Sequence, residues 1–194
     1  MSVAPLILVV GPSGAGKDSL MEGARHRLAG DSRIHFARRV VTRPALAGAE
    51  DHDTLPPDLF DRREAAGGFL LSWRAHGLSY GIPATVEGLR RRGTAVVANV
   101  SRAVVEEARV RLQPVGVVVV TAPPSVLADR LCARGREPVE DIRQRLDRAA
   151  ERMPAGDDVR VVVNDASLEA GVEAFLAALR DLARVKRQNL TATY

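Results

Sequence analysis

LILVVGPSGAGKDS, residues 6–19, runs five aliphatic side chains into a glycine-rich turn and then opens a helix. The spacing Gly11-x-x-x-x-Gly16-Lys17 is that of a phosphate-binding loop. Glycines let successive backbone N–H groups turn inward around an oxyanion, the helix N-terminus adds its dipole, and the lysine reaches the β- and γ-phosphates of a nucleoside triphosphate. Gly11, Pro12, Ser13, Gly14, Ala15, Gly16 and Lys17 are therefore read as a cradle for ATP. After the lysine such loops ordinarily carry Ser or Thr, whose hydroxyl ligates Mg²⁺; here the residue is Asp18. A carboxylate is also a hard oxygen donor, so Asp18 is assigned to the metal. Ser19 in its place, or a metal held mainly by water and ATP, are the other arrangements this spacing admits.

Outward from the loop, short aliphatic runs alternate with longer amphipathic stretches, which predicts a parallel sheet covered by helices on both faces. The central strands are 6–10, 94–99, 115–121 and 159–163, and the more charged RRVVT (38–42) is read as an edge strand. Helical periodicity runs through 17–29, 83–92, 102–112, 124–134, 138–152 and 167–185, with Pro83, Pro124 and Pro138 where a first turn tolerates proline. Residues 43–82 break the rhythm with many charges, Pro56-Pro57 and Gly67-Gly68. The expected fold is thus an α/β P-loop NTPase with a five-stranded parallel sheet. Its single domain spans 1–194: a core of 1–42 and 83–194, an inserted acceptor-binding lobe at about 43–82, and a short lid at about 130–142.

At 194 residues and 46% hydrophobic, the chain suits one domain with a sizeable core. No stretch approaches the ~20 apolar residues of a membrane span, and the apolar opening is too short and lacks the basic start of a signal peptide. With a lone Cys132, this points to a cytoplasmic protein without structural zinc or an internal disulfide. Of 28 basic residues only Lys17 and Lys186 are lysines. Arginine's planar fork suits phosphate oxygens. The basic residues are interleaved with acids and aromatics make up 4%, which argues against a nucleic-acid surface. The expected partner is a small phosphorylated sugar or nucleotide, with a homodimer left open.

Motors and switch GTPases place an aspartate at the end of a second core strand. Here that strand ends in Asn99, Ser101 and Arg102. A kinase that brings two anionic substrates together needs lobes that close and arginines that neutralise, and the insertion and the arginine-bearing ARGREP (133–138) supply both.

Over nearly its whole length the chain resembles the guanylate kinase-like group of nucleoside monophosphate kinases. The resemblance is carried by GPSGAGK, RRVVTR (38–43) followed by GAEDH (48–52), Tyr80-Gly81, DRLCARGRE (129–137) leading to IRQRLDRA, and VVNDAS near the end. Within that group it is most similar to the ribose 1,5-bisphosphate kinases of phosphonate breakdown, through the aspartate of GPSGAGKD, TRP with EDH, LSWRAHGLSYGIP and the NVSR strand end. The resemblance implies direct in-line transfer from ATP on Mg²⁺ to ribose 1,5-bisphosphate, giving 5-phosphoribosyl diphosphate. It assigns Lys17, Arg130, Arg134 and Arg145 to catalysis, and Arg134 and Asn164 also to the nucleotide. Arg43, Glu50, Asp51, His52, Tyr80 and Gly81 go to the acceptor. Glu50 and Asp51 also suit a plain solvated loop, and Trp73 is expected in the core. Against guanylate kinase itself, Ile82-Pro83 follow Tyr80-Gly81 where hydroxyl residues would hold a guanine edge. A non-catalytic interaction module, the third reading, would have no use for Gly16-Lys17 and the lid arginines.

Overall fold

The computed structural model describes residues 3–44, 52–133 and 153–184. Its centre is β1 (Leu6–Val10), every residue of which is buried. β7 (Ala95–Asn99) and β8 (Val115–Thr121) pair with it on either side, both parallel, and β2 (Ile34–Phe36) and β9 (Val159–Val163) extend the sheet to the order β2-β7-β1-β8-β9. β1, β7 and β8, buried on both faces, read as continuous valine-rich runs; β9, expected as a central strand, is the other edge of the sheet, with Val161 and Val163 exposed.

One face of the sheet, with Ile7, Val9, Val97, Val118, Val120 and Val162, packs on α1 (Lys17–Arg27) and α6 (Leu168–Arg184) through Leu20, Phe175 and Leu179. The other face joins α3 (Val86–Arg91) and α4 (Val105–Arg111), which follows a 3₁₀ turn at Arg102–Val104, to Leu71, Trp73 and Ile82 of the insertion. α5 (Pro124–Ala133) follows β8 and begins at the expected proline. Among the described residues no helix is long and apolar enough to cross a membrane. The helix expected over 138–152 lies outside the described residues.

The insertion is a second sheet of order β4-β3-β6-β5, formed by β3 (Arg39–Val41), β4 (His52–Thr54), β5 (Phe69–Ala75) and β6 (Leu78–Pro83). β3 runs parallel to β4 and antiparallel to β6. β5 and β6 turn over at His76-Gly77, both at positive φ (52° and 71°), the backbone of a two-residue hairpin whose twist matches its strands. α2 (Pro57–Ala65) covers the sheet, stacking Phe60 on Phe69 at 4.5 Å between ring centres.

The structure corrects the fifth strand of the core. RRVVT was expected at its edge, but Ile34–Phe36 pairs with β7 there, and the Arg39–Val41 stretch belongs to the second sheet. Ile34 and Phe36 pack on the core, the amide of Ala37 donates a last hydrogen bond to Val97 O (2.8 Å), and the chain then crosses to β6.

A buried arginine ties the far end of the sheet together. Arg90, 1% exposed, donates to Ala4 O (3.1 Å), Leu112 O (2.5 Å), Pro114 O (3.2 Å) and the Glu87 carboxylate (2.7 Å). Burial lowers its pKa from the usual arginine value, against the raising effect of Glu87. Arg90→Met would leave three backbone carbonyls and a carboxylate without this donor, and is expected to destabilise the fold by about 3 kcal/mol. Urea denaturation would show this as a lower midpoint with an unchanged slope.

Candidate active site

The phosphate loop leaves the C-terminal end of β1, where open parallel sheets hold their ligands. Gly11 has φ +148°, and a Cβ there would lie 2.0 Å from the carbonyl oxygen of Val120 on β8. Gly16, at φ +87°, is the left-handed residue from which α1 starts. The Lys17 ammonium curls back over the loop, donating to Gly11 O (2.8 Å) and Pro12 O (2.9 Å). Asp18 is exposed in the first turn of α1, and its Oδ1 accepts from the amide of Asn99 at the end of β7 (2.8 Å). Arg130 reaches from α5 to within 3.5 Å of Gly14 O.

A cleft of about 290 Å³ separates this loop from the insertion. On the core side it is lined by Gly11, Pro12, Ser13, Lys17, Asp18 and the strand end Asn99 to Arg102; on the lobe side by Arg39, Arg43, Trp73, Ala75, His76 and Tyr80. Trp73 and Tyr80 face each other across the β5–β6 pair with rings nearly parallel, 5.4 Å apart. The Arg39 guanidinium lies 5.6 Å from the Tyr80 ring centre and donates Nη1–H to Asn99 O at 3.2 Å. Lobe and core thus meet along a chain of contacts from Trp73 through Tyr80, Arg39 and Asn99 to Asp18. Four cationic side chains (Lys17, Arg39, Arg43 and Arg102) and one carboxylate line the cleft, a balance that draws anions.

Of the expected site residues, the structure gathers the loop, Lys17, Asp18, Arg43 and Tyr80 around this cleft and sets Arg130 over the loop. Ser19 is exposed one residue further along α1. Three others take supporting positions. His52 is 2% exposed, its Nε2 3.4 Å from Arg43 O, where Thr54 Oγ1 also donates (3.0 Å), so it props the backbone of Arg43. Gly81 is buried beneath Phe69, whose ring would meet a Cβ there at 2.5 Å. Asn164, expected beside the nucleotide, is buried under the loop and donates to Ala15 O at 2.8 Å. Glu50, Asp51, Arg134 and Arg145 lie outside the described residues.

Trp73 is core, as expected, but its ring also walls the cleft. Arg39 and Arg102 had not been assigned to the site. Arg39 was detectable by its place in the chain: it opens the short strand β3 that leads directly to Arg43, so a segment that brings Arg43 to the cleft also brings Arg39.

Asp18 with its Asn99 partner suits Mg²⁺, which keeps several waters and takes one or two carboxylates alongside substrate phosphates. Among the described residues there is no cluster of three or more metal-ligating side chains. One carboxylate held by an amide is a donor set compatible with a metal that also takes phosphate oxygens and water.

The family described as an AAA domain matches residues 7–153. The chain is 51% identical over 180 residues to a ribose 1,5-bisphosphate phosphokinase of Acidiphilium cryptum, covering 91% of this chain and 94% of that protein. It is 49% identical over 174 residues to a bifunctional ribose 1,5-bisphosphokinase-thymidine phosphorylase of Cupriavidus pinatubonensis, covering 90% of this chain but spanning only 29% of that longer protein's length. Among solved structures, guanylate kinase from Anaplasma phagocytophilum superposes with a TM-score of 0.68 at 18% identity, covering 94% of this chain and 88% of the other. At that identity the match speaks for the fold alone.

Proposed function

The chain belongs to the ribose 1,5-bisphosphate phosphokinase family, and on that footing we propose that it transfers the γ-phosphoryl group of ATP to ribose 1,5-bisphosphate, yielding 5-phospho-α-D-ribose 1-diphosphate and ADP. The observation that carries this reading is a phosphate loop facing an arginine-bearing lobe across one cleft. Such a cleft can hold two phosphorylated substrates end to end, and positioning with charge neutralisation is most of what phosphoryl transfer asks of a protein.

In this reading the loop amides and Lys17 hold the β- and γ-phosphates, and Lys17 exchanges its carbonyl partners on Gly11 and Pro12 for phosphate oxygens. Arg130, already at the loop, neutralises charge on the transferred group. Asp18, oriented by Asn99, would hold Mg²⁺, which would supply neutralisation of phosphate charge when bound. Arg43 and Tyr80 set an oxygen of the acceptor's 1-phosphate in line with the γ-phosphorus. That oxygen forms the new P–O bond as the bond to the β-phosphate oxygen breaks and ADP leaves. No protein nucleophile is needed. Asn164 and His52 contribute by holding the loop and the Arg43 backbone.

Ile82, read from the sequence as standing where a guanine edge would be held, is fully buried between lobe and core and does not line the cleft, so it does not choose between a sugar and a purine. The sugar acceptor is supported by the likeness to ribose 1,5-bisphosphate phosphokinases. The direct test is ADP release from ATP and Mg²⁺ with ribose 1,5-bisphosphate: one new diphosphate linkage per ADP, read by phosphorus NMR, is the expected result. ADP formed with free phosphate and no new linkage would show hydrolysis and contradict the proposal.

A further inference from the structure

We propose that Arg39 makes the protein selective for a doubly phosphorylated acceptor, by holding the phosphate that does not react. This rests on the reading of the cleft given above and assigns its second acceptor subsite.

Three observations converge on it. Arg39 opens β3 and Arg43 lies two residues beyond its end, with the buried Val41 between them, and both line the lobe side of the cleft. Two cationic heads rooted at separate points of one cleft wall suit two separated phosphates. Arg39 is also the more firmly placed of the two: it is half-buried on a paired strand, lies against Tyr80, and is tied to Asn99 O. Arg43 follows the strand's end at the cleft mouth. A planar guanidinium fixed in orientation recognises phosphate with little ordering cost. Finally, the triphosphate has its own cations on the core side, Lys17 in the loop and Arg130 above it, whereas Arg39 belongs to the lobe. With Arg43 committed to the reacting 1-phosphate, Arg39 is left to face the 5-phosphate. An acceptor lacking that group would leave a partly buried guanidinium opposite neutral hydroxyls, a mismatch that rejects strongly.

The test compares wild type with Arg39→Met and Arg39→Lys on two acceptors, ribose 1,5-bisphosphate and ribose 1-phosphate, with ribose 5-phosphate as an inhibitor. The wild type should favour the bisphosphate over ribose 1-phosphate by about 100-fold or more in kcat/KM. Arg39→Met should lose roughly 100-fold on the bisphosphate, chiefly through KM, while turnover of ribose 1-phosphate and KM for ATP stay within about threefold. Inhibition by ribose 5-phosphate should weaken in parallel. Arg39→Lys, which keeps the charge without the fork, should recover part of the preference, and it carries the test if the methionine variant does not fold. Equal losses on both acceptors, an unchanged preference, or a KM for ATP rising in step would overturn the proposal. A wild type that ignores ribose 1,5-bisphosphate would overturn the functional reading itself, and is recognisable because it needs no variant.

Discussion

Lys17→Ala is expected to lower kcat by at least about a thousandfold while leaving the protein folded. The ammonium is the loop's only side-chain cation, placed where charge grows on the γ-phosphoryl oxygens, and no water can supply a fixed charge there. Its loss should cost little structure: the bonds to Gly11 O and Pro12 O join a half-buried side chain to its own loop, a contribution of about 1 kcal/mol each at most. Circular dichroism and a melting curve close to wild type, alongside ADP release near background, is the predicted pair of results. A variant with near-normal turnover would remove the loop from the chemistry.

Gly11→Ala is expected to be nearly as damaging, by another route. The methyl carbon would sit 2.0 Å from a backbone oxygen of β8, at a φ of +148° that side-chain-bearing residues rarely adopt. Neither partner can yield cheaply, because Val120 lies in the paired β8 strand next to β1. The loop must shift, and a shift of about 1 Å is enough to misdirect its amides. The measurable outcome is a loss of ATP affinity of about 100-fold or more together with a lower melting temperature, whereas Lys17→Ala should move turnover and spare stability. ATP affinity close to wild type would mean that the loop tolerates displacement and does not work as a rigid cradle.

The contrast between these two positions also explains what was readable from the sequence. A phosphate loop is legible because its donors are consecutive in the chain, and the strands β1, β7 and β8 because burial on both faces leaves almost no polar residue to interrupt the run. The edge strand was misplaced because Ile34–Phe36 is three residues long with a polar centre, while the β-branched pair in RRVVT gave the stronger local signal; pairing with β6, which no local pattern announces, decides where that pair goes. The second sheet and α2 were hidden in a segment rich in proline and glycine. Those residues turned out to be element boundaries, with Pro57 opening α2 and Gly67 and Gly68 following its end.

In the site, residue chemistry alone could not separate contact from support. His52, Gly81 and Asn164 have the composition of binding residues, yet each is buried against the fold: His52 lies on the Arg43 carbonyl, Gly81 beneath Phe69, and Asn164 on the loop carbonyl of Ala15. Arg39, Ser101 and Arg102 looked like ordinary strand-end residues. They become part of a site only because β7 lies beside β1 and the lobe closes over their common end.

The most direct measurement is coupled ADP release with purified protein, ATP and Mg²⁺, run in parallel with ribose 1,5-bisphosphate and with GMP as acceptors. Turnover with the sugar bisphosphate and none with GMP is the predicted result, with 5-phosphoribosyl diphosphate accumulating one for one with ADP. Turnover with GMP alone would contradict it, and would mean that the arginines of the lobe admit a purine nucleotide.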